Sequence, residues 1–99
     1  MSKFHRTCLA LSLSAVLPAH AQVTIDVSKI TCDQYIRYTV ADPHDIAVWL
    51  SGYYNGERHN TVLETQEFRE QANKVMDFCL RNGKSTVMDG VEKVLGVKR

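Results

Sequence analysis

The side chains best suited to metal binding or redox chemistry are too far apart in this sequence to form a known motif. His44 and His59 are separated by fifteen positions, and Cys32 and Cys79 by 47. Zinc ligands usually occur in close pairs, and a thioredoxin-like redox site needs two cysteines separated by two residues. The chain also has no glycine-rich phosphate loop and no Gly-x-Ser-x-Gly turn. We therefore expect no metal, cofactor or catalytic residue, and a small exported enzyme is the weakest alternative.

The first 21 residues have the organisation of a secretory signal peptide. Lys3 and Arg6 give a positive start, residues 8–17 carry no charge, and Ala19-His20-Ala21 has the small-x-small form of a cleavage site. A membrane span would need about 18 apolar residues, which is longer than this stretch. The pattern predicts cleavage after Ala21, export to the periplasm, and one mature domain over residues 22–99 without a membrane anchor.

Cleavage would remove Cys8 and leave Cys32 and Cys79 as an even pair. In an exported protein such a pair is typical of a disulfide, although two separate buried thiols are the alternative. A bridge would close a loop of about 48 residues and stabilise the fold by roughly 4 kcal/mol on the chain-entropy formula. A domain this small otherwise has only about 3–5 kcal/mol of stability.

The charge of the chain depends strongly on pH. Lys and Arg number 12 against 11 Asp and Glu, and without Lys3 and Arg6 the ten remaining bases leave a net charge of −1. The chain has no basic excess, so we expect no nucleic-acid partner. Below about pH 3 most carboxylates are protonated, and with His44 and His59 charged the net charge rises to about +12.

Residues that start and stop helices divide the mature chain into short segments. Thr31 predicts the start of a first helix over residues 32–39. Asp42-Pro43 predicts the start of a second helix, running to about residue 53 and ending at Asn55-Gly56.

Two further helices follow a segment, residues 57–64, that is either a loop or briefly extended. The third helix is predicted to begin at Thr65 or Gln66 and to end at Asn82-Gly83. Its apolar face is Phe68, Ala72, Val75, Met76 and Cys79. Ser85 is predicted to cap the last helix, which Gly96 ends. The expected fold is all-α, a single small orthogonal bundle of about four short helices with one disulfide.

The second helix is apolar on nearly every side. Ile46, Trp49, Leu50 and Tyr53 form one stripe, and no residue over 46–54 is charged. Such a helix is usually buried all round. Either it is the innermost helix, wrapped by the other three, or one side is covered by a second copy or another protein. Trp and Tyr are enriched in protein interfaces, which favours the second interpretation.

Several of these features together resemble the HdeA/HdeB family of periplasmic acid-stress chaperones. They are the exported N-terminus, Thr31-Cys32 opening a short helix, the tryptophan helix over residues 48–52, Glu64-Thr65 after a loop, and Cys79 late in a helix. The resemblance covers about residues 31–95. It implies a helical domain with one disulfide, a homodimer at neutral pH, and acid-induced loosening that lets the protein bind denatured periplasmic proteins without ATP or a cofactor.

The resemblance also implies roles for residues of the second helix. Residues 48–54 match the region that the family uses for packing and self-association, which gives as candidates for dimer and client binding Val48, Trp49, Leu50, Tyr53 and Tyr54. The termini carry fewer charges here than in family members that keep their clients soluble. An exported protein-binding or inhibitor module acting at neutral pH is therefore the alternative function.

The start of the second helix supplies the candidates for pH sensing. Asp42 at the cap and Asp45 in the first turn stabilise a helix N-terminus when they are ionised. Ionised carboxylates that stabilise the native state lose this effect on protonation. We therefore expect the second helix to weaken in acid.

Overall fold

The structure, a computed structural model, describes residues 23–98. A 3₁₀ turn over Val27–Lys29 precedes four α-helices, which are α1 (Cys32–Ile36), α2 (Pro43–Glu57), α3 (Thr65–Arg81) and α4 (Val87–Leu95). No strand occurs within this range. The predicted all-α fold with four short helices is confirmed. The predicted signal peptide and its cleavage after Ala21 lie outside the described residues.

Two of the helices begin at threonine caps. The Thr31 hydroxyl accepts a hydrogen bond from the Gln34 N–H at 3.2 Å, and the Gln34 side chain accepts one from the Thr31 N–H at 3.0 Å. This reciprocal pair is a capping box at the start of α1. At the start of α4 the Thr86 hydroxyl accepts from the Asp89 N–H at 3.1 Å. Neither threonine changes charge with pH.

The other two helices begin at carboxylate caps. The Asp42 carboxylate accepts from the His44 N–H at 2.8 Å, and Pro43 occupies the first turn of α2. The Glu64 carboxylate accepts from two N–H groups of the first turn of α3, at 3.2 and 2.8 Å. These hydrogen bonds join an anion to the positive end of a helix, so they are strongest while the carboxylates are ionised.

Two helix ends differ from the prediction, and a residue other than glycine adopts the left-handed conformation shortly after each of them. α1 ends at Ile36 rather than residue 39, and Tyr38 adopts a φ of 58°. α2 continues past Asn55-Gly56 to Glu57, because Gly56 keeps a helical conformation and His59 takes a φ of 54°. Gly96 ends α4 as predicted, with a φ of 66°.

A disulfide and a pair of backbone hydrogen bonds join the starts of α1 and α4 to the end of α3. Cys32 and Cys79 are bonded, fully buried, and 4.7 Å apart at Cα. The Cys32 N–H donates to the Ser85 carbonyl at 2.7 Å, and the Val87 N–H donates to the Ile30 carbonyl at 2.9 Å. The predicted disulfide is confirmed. The predicted Ser85 cap is wrong, because Ser85 pairs with Cys32 while Thr86 caps α4.

The core lies where the four helices meet the 3₁₀ turn. Its buried members are Val27, Ile30, Cys32, Tyr35, Ile46, Leu50, Tyr54, Val75, Cys79, Val87, Met88 and Val91. α3 and α4 pack closely at Gly90, where an added Cβ would lie 2.8 Å from Cδ1 of Phe78. Over residues 23–98 no helix is both long and apolar enough to cross a membrane.

Candidate protein-binding surface

One face of α2 is buried against the rest of the bundle. Its buried residues are Pro43, Ile46, Leu50 and Tyr54, which follow one another at spacings of three or four, as expected for a single helix face. The predicted stripe through Ile46 and Leu50 is therefore correct in part. Trp49 of the same stripe is 47% exposed, and Tyr54 continues the inward row one turn after Leu50.

The hydroxyl of Tyr54 connects the buried face of α2 to α4. It lies 3.5 Å from the Met88 carbonyl oxygen and 3.3 Å from the Glu92 carboxylate, and it can donate to either. A buried tyrosine with a satisfied hydroxyl combines apolar packing with a directional contact. Tyr54 is thus a packing residue in the folded domain, whatever further role it has in binding.

The part of α2 that is not covered by the bundle exposes large apolar side chains. Val48 and Trp49 are 48% and 47% exposed. The Trp49 ring stacks on the half-buried Tyr53 ring, with centroids 5.2 Å apart and planes 12° apart. This stacking restricts the exposed indole, so less side-chain freedom is lost when a partner covers it.

The loop between α2 and α3 extends this apolar face. Val62 and Leu63 are 75% and 60% exposed, and a groove of about 230 Å³ separates them from Val48 and Gly52 on α2. We call Val48, Trp49, Gly52, Val62 and Leu63 the outer surface. Sequence reasoning missed Val62 and Leu63. Two adjacent branched apolar residues within the otherwise polar segment 57–64 were the available indication.

Gly52 lies in the middle of α2, and no contact within the described part of the chain requires a glycine there. A Cβ built on it meets no heavy atom within 4 Å. Glycine in a helix interior costs about 0.5–1 kcal/mol relative to alanine. A glycine at this position leaves room for another backbone to approach α2 along the groove.

The pH-sensing candidates lie at the exposed start of α2. Asp42 is the cap, and the Asp45 carboxylate lies 3.8 Å from Nδ1 of the exposed His44. A further carboxylate, Asp26, caps the 3₁₀ turn. The hydroxyl and then the backbone N–H of Ser28 donate to Asp26 and lower the pKa of its carboxyl.

One tyrosine among the described residues has a shifted pKa. Burial raises the pKa of Tyr35, and the negative charge of Asp42 raises it further. Over residues 23–98 no three His, Cys, Asp or Glu side chains are grouped to hold a metal ion. The outer surface is therefore the feature that we consider for binding.

Comparison with known families agrees with the elements described above. The family model described as the HdeA/HdeB family matches residues 5–89, which is most of the chain. The match includes both cysteines of the disulfide and ends in the first turn of α4. No curated protein and no solved structure gives a significant match. On the extent of the family match, together with the helical bundle and the Cys32–Cys79 disulfide, the chain belongs to the HdeA/HdeB family.

Proposed function

We propose that this protein is a periplasmic acid-stress chaperone that loosens at low pH and binds denatured proteins without ATP. The observation that carries the proposal is α2, a helix with an apolar outer side and an apolar inner side, in a chain of the HdeA/HdeB family. When α2 leaves the bundle, Ile46 and Leu50 join Val48 and Trp49 on one accessible apolar element. An element of this kind can bind the exposed apolar segments of an unfolded client.

The disulfide supports a partial rather than a complete loss of structure. α2 lies entirely between Cys32 and Cys79, so it can separate from the bundle while α1 stays bonded to α3. The backbone hydrogen bonds between Cys32 and Ser85 and between Val87 and Ile30 add α4 to the same unit. We therefore expect α1, α3 and α4 to remain associated longer than α2 as the pH falls.

The distribution of helix caps supports acid as the trigger. α2 and α3 begin at the carboxylates Asp42 and Glu64, whereas α1 and α4 begin at the threonines Thr31 and Thr86. A carboxylate cap interacts favourably with the positive end of a helix while it is ionised, and a threonine cap has no such dependence on charge. In the same pH range the net positive charge of the chain rises, and repulsion between these charges destabilises the compact fold.

The direct test measures structure and client protection together. Trp49 fluorescence reports on α2, and light scattering reports the aggregation of an acid-denatured client, both from about pH 7 to pH 2. We expect client protection to appear in the pH range where the fluorescence of Trp49 changes. Reduction of the disulfide at neutral pH should lower the free energy of unfolding by about 4 kcal/mol, the value expected from closing this loop. A protein that stays rigid at low pH and leaves client aggregation unchanged would contradict the proposal.

The carboxylate cap can be tested with a pair of reciprocal variants. Asp42→Ser keeps a good helix cap but removes the titrating group, so the acid transition of α2 should move to lower pH with little change in stability at neutral pH. Thr86→Asp introduces a titrating cap at α4, and it should make α4 sensitive to acid instead. If Asp42→Ser leaves the transition of α2 unchanged, Asp42 is not the sensor, and Asp45→Asn is the next variant to compare.

We also propose that the outer surface is covered by a second copy at neutral pH. Gly52 permits close approach, and Trp49 and Leu63 offer apolar area beside it. Sedimentation velocity should show that Leu63→Asp shifts the protein to monomer. Gly52→Ala should also weaken the dimer, whereas Gly56→Ala, equally open but one turn further along α2, should not. Dimers that survive Leu63→Asp would contradict this interface.

A second candidate function is a protein-binding or inhibitor module that acts at neutral pH. It is favoured by the exposure of Val48, Trp49, Val62 and Leu63 in the folded domain, since a surface that is already exposed needs no acid opening. A specific partner captured at about pH 7 with wild-type protein and lost with Trp49→Ala would support this candidate. Capture that occurs only after acid treatment supports the chaperone.

The proposed location depends on the N-terminal segment. We propose export and cleavage after Ala21, so that the mature chain begins at Gln22. Mass spectrometry of the periplasmic fraction should find the mass of residues 22–99. Replacing Ala19 and Ala21 with large residues should leave the precursor uncleaved. Recovery of the intact chain from the cytoplasm alone would contradict the proposed location.

A further inference from the structure

A cavity separates the buried face of α2 from α3 and α4. It has a volume of about 190 Å³, and the apolar part of its lining comes from all three helices, including Leu50, Tyr54, Phe68, Ala72, Val75 and Val91. An engineered cavity of about 150 Å³ with an apolar lining binds benzene. The chamber between α2 and the other helices is therefore large enough for a molecule with one ring, and too small for a helix or a peptide segment.

A second, more polar space of about 300 Å³, which we call the vestibule, shares part of its lining with the chamber, and Val62 and Leu63 of the outer surface also line it. Four polar residues line both spaces, namely Asn55, Arg58, Glu67 and Gln71. Glu64 lines the vestibule but not the chamber. Arg58 Nη2 donates to Asn55 Oδ1 at 3.0 Å, and Gln71 Nε2 donates to Glu67 Oε1 at 3.2 Å. The vestibule thus carries two carboxylates and one guanidinium, a net negative charge.

We propose that the chamber and vestibule form a binding site for a small amphiphile with one apolar ring and a polar head that donates hydrogen bonds, an amine or a hydroxyl. The ring fits the apolar part of the chamber, and the head reaches the Glu67 carboxylate, which also lines it. An anionic head is disfavoured because Glu64 and Glu67 outnumber Arg58. Apolar side chains combined with several polar groups, as in this lining, are a usual composition of a small-molecule site.

Occupancy of this site would also hold α2 against the bundle, because the ring would contact Leu50 and Tyr54 on one side and Phe68 and Val75 on the other. A ligand that binds only the folded state raises the ratio of folded to unfolded protein. At a concentration of about 100 times its dissociation constant the increase is about 100-fold. This inference goes beyond the chaperone proposal and does not depend on it.

The test uses four probes of similar size with different heads, which are benzylamine, benzyl alcohol, toluene and benzoate. Each is titrated at neutral pH into disulfide-bonded protein that is dilute enough to be monomeric, because Val62 and Leu63 belong to both the vestibule and the outer surface. Amide chemical shifts are followed by NMR. We expect saturable shifts at residues of the chamber with benzylamine and benzyl alcohol, weaker binding of toluene, and the weakest binding of benzoate. No saturable shift with any probe would overturn the site, and equal binding of benzoate and benzylamine would overturn the assignment of the head group.

Variants locate the binding site. Ala72→Leu fills the chamber from α3 and should abolish binding, whereas Asn73→Leu places the same side chain on the exposed side of α3 and should not. Ala47→Leu fills the chamber from α2 and serves if Ala72→Leu fails to fold. Glu67→Gln should reduce the affinity for benzylamine relative to toluene. Undiminished binding to folded Ala72→Leu or Ala47→Leu protein would overturn the proposal.

Discussion

The same glycine-to-alanine change should have opposite effects on stability at two positions of this fold. Gly90 lies inside α4 with Phe78 against it, and Gly52 lies inside α2 with open space around it. At both positions alanine favours the helix by about 0.5–1 kcal/mol, because it loses less backbone freedom on folding. The difference between the two variants therefore measures the packing of α4 against α3.

The magnitude at Gly90 follows from the distances to Phe78. The added Cβ would lie 2.8 Å from Cδ1 and 3.2 Å from Cε1 of the ring. Both distances are shorter than the roughly 3.5–4.0 Å at which carbon atoms attract, so the ring must shift. Overpacking of this kind costs about 1–3 kcal/mol. After the gain in helix propensity is subtracted, Gly90→Ala should lower the free energy of unfolding by about 1 kcal/mol, and Gly52→Ala should raise it by about the same amount.

Urea denaturation followed by circular dichroism measures both changes. The protein is kept oxidised and dilute enough to be monomeric. With a denaturant slope of about 1 kcal/mol per molar, the two midpoints should differ by about 2 M. In the background of Phe78→Ala, Gly90→Ala should no longer destabilise, because the ring that opposes the methyl group is gone. A stabilising effect of Gly90→Ala in the wild-type background would refute the described packing of α3 and α4.

Four further outcomes are expected from single residues. His59→Gly should raise stability by about 1 kcal/mol in thermal unfolding, because glycine adopts the left-handed conformation without strain. Thr86→Ala should lower stability by about 1 kcal/mol and Ser85→Ala by much less, as measured in urea, because only Thr86 caps α4. The lowered pKa of Asp26 stabilises the fold above the unfolded value, and this contribution is lost as the pH falls through the folded value. Asp26→Asn should therefore be destabilising at neutral pH and nearly neutral in strong acid, and an equal loss at both would contradict the assignment. The raised pKa of Tyr35 gives stability that is complete below its unfolded value of about 10 and is lost as the pH rises through the folded value. Tyr35→Phe should abolish this alkaline loss in a pH series of unfolding curves.

Local chemistry made much of the fold predictable from the sequence. Asp42-Pro43 and Thr31 mark helix starts because their side chains satisfy N–H groups that have no partner within the helix. The disulfide was predictable because the predicted cleavage of a signal peptide leaves an even pair of cysteines. These features need only a few neighbouring residues or a count, so one sequence is enough to find them.

The errors arose where tertiary contacts overrule local preference. Gly56 is a common residue for ending a helix, yet α2 continues to Glu57 and uses His59 for the left-handed position. Ser85 is as good a cap as Thr86, and the choice depends on the pairing of the Ser85 carbonyl with Cys32, 53 positions away in sequence.

The candidate surface was predictable only in part for a similar reason. On a helix that is apolar nearly all round, the sequence cannot determine which side faces inward. The helical period allowed a stripe through Trp49, whereas packing against α4 selected Tyr54. Val62 and Leu63 belong to a loop without periodicity, so their position beside α2 depends entirely on the path of the chain.

The Cys32–Cys79 bond has a kinetic consequence for the proposed opening and closing of α2. Because both ends of the segment containing α2 are anchored in the same unit, α2 explores only a small volume before it returns to the bundle, and this return is a step within one molecule. The rate of recapture should not change on dilution, and only the subsequent pairing of two copies should be second order. Dilute protein would thus recover its folded monomers as quickly as concentrated protein.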